Sequence, residues 1–526
     1  MAILGVDLSG TLPMLLTISF ASLLLLFVYQ LVYNLYFHEF ANVPGPKFWA
    51  ATRLRFIMSL ASGQISHDVK RIHEKYGTIV RLAPDEISFA KEEAWNEVLG
   101  VRPGYNQCLK DMVYFTPPPY MPHNVVGTPV IEDHARMRRA LNHSFTPAAL
   151  KGQEPIVESY VHLLVSQLVE KAELSGSERM EVTTDVVDRF NYTTVDIIGD
   201  LVLGESFDCL KNNALHPWIT LIFSFVKAAI FAAAPRFYPW FSFLVETFLV
   251  PKSLLKFAEN HYQEAVAKIH RRMSIEKQRA DLMTPLLKQG ILPENQAGKG
   301  MTLGEIEASF FMLVVAGSET IATTMTGLTT YFLREHRVVE LLASEVRSTF
   351  SSPSEITIAA LNDLPYLNAV IHEALRLCNP IPSGLPRVAP KGGTTVCGLH
   401  LPAGTHVSVS PAAIYRSSSL FHKPEEFIPE RWFPEATRPA EHINDHLSAV
   451  RTFGHGPRSC IGKQLAMGEM RLILAKLVWH FDFLAPEEHG SILDWQTLKV
   501  FLTIEKEPVW VKLRLRNEIT VRKGSF

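Results

Sequence analysis

Residues 453–462 read Phe453-Gly454-His455-Gly456-Pro457-Arg458-Ser459-Cys460-Ile461-Gly462. Three glycines surround one cysteine. Glycine lets a backbone take turns that other residues resist and lets it approach a flat ligand closely. An amphipathic helix is expected directly after this loop, from about Ile461 to Phe481, so Cys460 sits where a helix begins. Unpaired amide donors and the helix dipole at such a point favour a thiolate over a thiol. A thiolate is a soft metal ligand. Arg458, two residues earlier, offers a fixed cation for a carboxylate on the same ligand. The competing reading is an inert buried cysteine in a glycine-rich turn, and that reading suits Cys108, Cys209, Cys378 and Cys397.

Working outward, the composition narrows the function. With 47% hydrophobic and 20% charged residues the chain is not disordered. A formal net charge of −2 argues against nucleic acid as the main partner, which needs a concentrated basic face. Five cysteines without a CxxC pair exclude a zinc knuckle or disulfide framework and suit a reducing compartment.

The amino terminus is of another kind. Leu8 to Phe37 contains no Asp, Glu, Lys or Arg, and Met14–Phe37 is rich in Leu, Phe, Val and Tyr. About 20 apolar residues suffice to cross a bilayer as a helix. No positive segment precedes the run, as a cleaved signal would require. Lys47, Arg53 and Arg55 follow it. Positive charge on that side alone predicts one transmembrane helix within residues 1–40, with residues 41–526 in the cytosol. The sequons at Asn142 and Asn191 should then stay unmodified. Val43-Pro44-Gly45-Pro46 is a stiff break between anchor and body.

Helical patterns dominate residues 130–378. Short β-type runs follow at Thr394–Val396, His406–Val409 and Val509–Leu513. The expected fold is mainly α with a small β part, in one large domain. One helix is unusually long. Thr302 and Glu305 have capping-box spacing, and the pattern continues to about Arg334, apolar on most sides. Such a helix runs through the core, yet it carries Ser318, Glu319 and Thr320 at its middle.

Residues 453–462 resemble the cysteine loop F-G-x-G-x-R-x-C-x-G of the cytochrome P-450 family, the haem-thiolate monooxygenases. Ala316-Gly317-Ser318-Glu319-Thr320 resembles the family's central-helix motif. By that resemblance Gly317 leaves room over the haem for dioxygen. Thr320 opens a groove by bonding back to a carbonyl one turn earlier, and Glu319 supplies protons. Glu373-Ala-Leu-Arg376 is similar to the family's ExxR, and Pro429-Glu430-Arg431-Trp432 to its PERF segment. Together they imply a buried Glu373–Arg376–Arg431 cluster that locks the cysteine loop. Glu276 and Arg279 share the ExxR spacing and read as a solvated pair. Asp133-His134-Ala-Arg136-Met-Arg138-Arg139 resembles the propionate helix, with His134 in the aromatic place and Arg138 as the arginine. Arg387 follows as a further propionate ligand, and His455 is within possible reach. Arg136 and Arg139 are expected to face solvent or a partner. Phe453 and Gly454 complete the cofactor-binding set, and Cys460 is the metal ligand.

The resemblance, closest in wording to fungal secondary-metabolism members, implies the cytochrome P-450 fold behind a membrane anchor and heme b with an axial cysteine thiolate. It implies dioxygen as co-substrate and NADPH electrons through NADPH-cytochrome P-450 reductase, with cytochrome b5 as a further electron donor. An endoplasmic-reticulum membrane protein facing the cytosol is expected. The aromatics of residues 114–120 and 218–248, with Ile381, Pro382 and Phe501, are expected to form a largely apolar pocket and its roof. A terpenoid, polyketide or alkaloid would fit such a pocket.

Overall fold

The computed structural model describes residues 8–176, 179–275, 279–293, 298 and 300–516. The amino-terminal helix spans Leu8–Tyr36. It lies within residues 1–40 and starts where the charge-free run does, at Leu8. The most apolar stretch within Pro13–Tyr36 has a mean hydropathy of 2.2 and none of that stretch is buried in the protein, whereas Asn34 near the helix end is buried against the Ala51 carbonyl. Leu25 and Phe20 stand 72% and 70% exposed. A helix this apolar on every side has no core to face, and its length is enough to cross a membrane.

The body is mainly helical with small sheets. The long central helix runs Leu303–Phe332. Thr302 accepts from the Glu305 N–H while Glu305 accepts from the Thr302 N–H, which completes the capping box. Arg136 does not face solvent. Its guanidinium forks onto both oxygens of Glu305, at 2.6 and 2.7 Å, and also reaches Asp133. A cap carboxylate at a helix start is a natural anchor for a cation reaching from a neighbouring helix. Phe310, Phe311 and Val314 bury the central helix in the main core. Helix Val186–Leu203 crosses it so closely that a Cβ on Gly317 would stand 2.7 Å from Ile198.

Strands Thr394–Val396 and His406–Val409 form where the β-type runs lie. The larger sheet has the order Ile79–Ala83, Glu86–Phe89, His406–Val409, Arg387–Val388, Leu109–Lys110. The closing strand Trp510–Leu515 pairs antiparallel with both Phe481–Leu484 and Glu181–Asp185. The last helix spans Lys463–His480. Glu276 lies outside the described residues. Arg279 is no solvated partner: it pairs with Asp200 and bonds the Gly204 carbonyl.

Candidate functional site: a cysteine-lined cavity under the central helix

The cysteine loop closes on itself. The Cys460 N–H donates to the Phe453 carbonyl at 2.8 Å, and the Gly454 N–H to the Arg451 carbonyl at 2.7 Å. Gly454 and Gly456 have φ of +74° and +71°, conformations in which a Cβ is strained. The bare face of Gly456 is not turned to a ligand, because a Cβ there would lie 2.2 Å from the Leu99 carbonyl oxygen. At Gly462 a Cβ would stand 4.0 Å from the Cys460 sulfur. That glycine is the one that keeps space beside the sulfur.

Three contacts fix the loop to the rest of the fold. Thr452 donates to the Leu375 carbonyl at 3.0 Å, and the Arg451 N–H donates to the Tyr415 hydroxyl at 2.9 Å. Arg138 donates to the Ser459 carbonyl at 2.6 Å. Behind the loop lies the expected charge cluster. Arg376 holds both oxygens of Glu373, at 2.7 and 2.9 Å, and Arg431 joins at 3.0 Å. The Trp432 indole N–H also donates to Glu373 at 2.9 Å. All three charged residues are buried. Burial alone would raise the Glu373 pKa. The two guanidiniums outweigh it and hold the carboxyl at about 2. Arg431 is neutralised a second time by buried Asp445, which the sequence offered no reason to single out. Arg376 further donates to the carbonyls of Tyr415 and Pro424 at 2.6 Å. The cluster therefore joins the Pro365–Leu377 helix to the segment that supports the cysteine loop.

Cys460 opens onto an internal cavity. Its walls include Phe453, Gly462, Gly317, Thr320 and Ile381. The lining is apolar apart from Cys460, three threonines (Thr320, Thr324 and Thr452) and Glu469. The Cys460 thiol is pushed up by burial, against the Gly462 N–H and the charges of Arg138 and Lys463. The side chain is nonetheless open to the cavity, and a metal cation bound there would favour its thiolate. Thr320 donates to the Ala316 carbonyl at 2.8 Å. Its neighbour Glu319 is not part of this lining. It turns to a second chamber on the other side of the helix, where Lys506 ion-pairs with it. Gly317 does line the cavity, but the space of its missing Cβ is filled by Ile198. Phe501 lines the second chamber, and Pro382, with Arg376, lines a larger cleft of about 370 Å³. That cleft is bigger than the cysteine cavity but no cysteine lines it.

Cations gather without a counter-ion. Both terminal nitrogens of Arg458 and the Nε of Arg387 are buried with no hydrogen-bond partner. Burial lowers each to about 10, and for Arg387 the charge of Arg458 adds to the effect. His134 is pushed down to about 3 by burial and then by Arg458, Arg138, Lys110 and Arg387. Lys110 is also driven well below its ordinary value, by burial and the same two arginines. The sequence reading missed Lys110. Arg138 is committed to Ser459 and Asn142, and His455 stands against Asn96 at 3.3 Å. Mutual repulsion in a buried site is tolerated only where an anion belongs. A flat ligand with two carboxylates at one edge and a metal over Cys460 meets each need: the sulfur, the apolar walls and the unpaired guanidiniums. The haem implied by the resemblance therefore fits these residues.

A further acid was missed. Glu469, in the last helix, lines the cavity with Oε2 buried and unpartnered, and burial pushes its pKa up to about 8.

Comparison with known proteins agrees with this geometry. Residues 43–510 match the model of the cytochrome P450 family. The cytochrome P450 monooxygenase astJ of Aspergillus oryzae is 35% identical over 93% of this chain and 95% of its own length. Averantin hydroxylase of Dothistroma septosporum is 38% identical over 94% and 90%. Versicolorin B desaturase of Aspergillus parasiticus is 38% identical over 89% and 91%.

Proposed function

The chain belongs to the cytochrome P450 monooxygenases, and from that premise we propose that it is a membrane-anchored haem-thiolate enzyme of fungal secondary metabolism. In this reading it inserts one atom of dioxygen into an apolar small molecule of the terpenoid, polyketide or alkaloid kind. The observation that carries the reading is the pairing of one cavity-facing sulfur, Cys460, with unpartnered buried guanidinium groups on Arg458 and Arg387. Bound there, heme b would supply dioxygen activation and oxygen transfer, with electrons from NADPH through a separate reductase.

The chain's own residues have distinct tasks in this proposal. Cys460 would hold the haem iron through its sulfur. Arg458, Arg387, His134 and Lys110 hold the two propionates, while Arg138 braces the loop by its bond to the Ser459 carbonyl. Phe453 and Gly317 shape the walls, and Gly454 the loop turn that would bring Cys460 to the haem. Thr320 presents its hydroxyl to the cavity, and Glu319 is the acid on the proton route. The apolar lining excludes water and positions a hydrophobic substrate.

Residues 1–40 form the anchor in this reading, and 41–526 the haem domain on the cytosolic side of the endoplasmic reticulum. Trp240, Phe243, Phe248 and Leu249 stand 65–73% exposed. Together with the amino-terminal helix they support contact with lipid, which gives apolar substrates a route in.

The test is turnover in microsomes carrying an NADPH-cytochrome P-450 reductase, with or without cytochrome b5, and fed apolar candidate substrates under isotopically labelled dioxygen. One labelled oxygen in the product, dependent on NADPH and reductase, is the expected result. Product formed with peroxide alone, and not with NADPH, would point to a reductase-independent enzyme instead.

A further inference from the structure

Gly317 stands where two helices cross. A Cβ added there would lie 2.7 Å from both Cγ1 and Cδ1 of Ile198, in helix Val186–Leu203, and 3.4 Å from the Ile198 Cβ. Packed carbons do not come that close, so the crossing closes only because residue 317 has no side chain. Ile198 is buried in the main core, yet it also lines the cysteine cavity beside Gly317 and Thr320. Its side chain thus lies over the bare backbone of Gly317 and forms part of the cavity wall. Thr320 follows three residues after Gly317, on the same helix face. The helix that carries Ile198 is held from behind. On neighbouring Gly199 a Cβ would meet the Phe207 ring at 2.7 Å. Asp196 accepts from the N–H groups of Cys209 and Leu210 at 3.0 and 2.8 Å, and Tyr160 donates to Asp200 at 2.8 Å. Ile198 therefore has no room to withdraw from the central helix.

We propose that Ile198 is a positioning residue, which closes the cysteine cavity at Gly317 and sets where the central helix, and Thr320 with it, stands relative to Cys460. The inference rests on the proposed haem site. In this account residue 317 is glycine in order to admit Ile198, and not to leave space for a ligand on the cavity side. The fitted quantity is the combined bulk of residues 198 and 317. Bulk added at one position and removed at the other should leave the cavity wall in place, whereas either change alone should move it. A methyl on Gly317 would push the central helix away from Ile198 and towards the cavity. A truncated Ile198 would leave the wall hollow and the helix unsupported.

The test compares wild type with Gly317→Ala, Ile198→Ala, Ile198→Val and the double variant Ile198→Ala/Gly317→Ala, all as full-length haem-loaded protein. Two rates are read: haem transfer to an excess of apomyoglobin, and carbon monoxide binding to the dithionite-reduced protein. Gly317→Ala alone is expected to speed haem transfer and to slow carbon monoxide binding, each roughly tenfold. Ile198→Ala alone should speed haem transfer severalfold, and Ile198→Val less. In the double variant the new methyl takes the vacated space, and both rates should return close to those of wild type. If Gly317 instead keeps ligand room on the cavity side, its methyl blocks carbon monoxide whatever stands at 198. A double variant that binds carbon monoxide as slowly as Gly317→Ala therefore overturns the proposal. So do effects that simply add, or an unaltered haem transfer in Ile198→Ala. If Gly317→Ala yields no loaded protein, recovery of loaded protein in the double variant is the supporting result and its absence the overturning one. A wild-type protein that lacks the thiolate signature with carbon monoxide fails the underlying reading instead, so the two failures are distinguishable.

Discussion

Lys110 and Arg387 stand opposite each other on adjacent antiparallel strands. Both are buried, at 4% exposure each, and no described carboxylate forms an ion pair with either. Like charges opposite each other on a sheet cost roughly 0.2–1 kcal/mol. Such a pair makes sense as half of a site whose other half is anionic.

Lys110→Met separates these two roles. The substitution removes a repulsion from the ligand-free protein and a charge-assisted bond from the loaded one. Haem transfer to an excess of apomyoglobin should speed up roughly tenfold, equivalent to about 1.4 kcal/mol. Thermal unfolding of the haem-free chain should be unchanged or shifted upwards. Unaltered haem loss would remove Lys110 from the site.

Glu373→Gln leaves buried Arg376 facing a neutral partner, while Arg431 keeps Asp445. Breaking a buried ion cluster costs roughly 3–5 kcal/mol, so the yield of haem-loaded protein should collapse. The pH sign follows from the depressed carboxyl. Its folded value of about 2 lies below the ordinary 4.5. Its stabilisation is therefore present above pH 4.5 and is lost as pH falls through about 2. Denaturant titrations of the wild type should show that acid-side loss.

Glu469 gives the opposite sign. Its folded value of about 8 lies above the ordinary 4.5. Its favourable contribution is therefore complete below pH 4.5 and declines as pH rises through about 8. Glu469→Gln should flatten that decline, leaving the variant more stable than wild type above pH 8 by up to about 4 kcal/mol. Parallel pH–stability curves for the two proteins would contradict a neutral buried acid.

The glycines of the cysteine loop differ in what an added methyl meets. Gly456→Ala combines a positive φ with a contact of 2.2 Å to the Leu99 carbonyl, and should cost about 2 kcal/mol or more. Gly462→Ala meets only the Cys460 sulfur and Phe145, each at 4.0 Å. It should fold normally and shift the haem absorption. Unfolding midpoints and visible spectra of the two variants check both statements.

Local signals made much of this legible before any coordinates. The Thr302–Glu305 cap, the strands 394–396 and 406–409, and the Glu373–Arg376–Arg431 cluster each depend on short spacing and reappear in the fold. What escaped depends on long-range register. Lys110 meets Arg387 only through sheet pairing, and Asp445 meets Arg431 only after the chain folds back. Arg136, expected to face solvent or a partner, meets Glu305 across 169 residues of sequence. Glu319 and Thr320 look like one motif in sequence, but successive helical residues point about 100° apart. Lys506 claims the first and the cysteine cavity receives the second.

The central claim is that the Cys460 sulfur is the axial ligand of a bound haem. The most direct measurement is the absorption spectrum of the purified, dithionite-reduced protein under carbon monoxide. The account predicts the red-shifted Soret band of thiolate ligation, absent in Cys460→Ala. A colourless protein after haem supplementation, or a Soret band at the imidazole position, would contradict it.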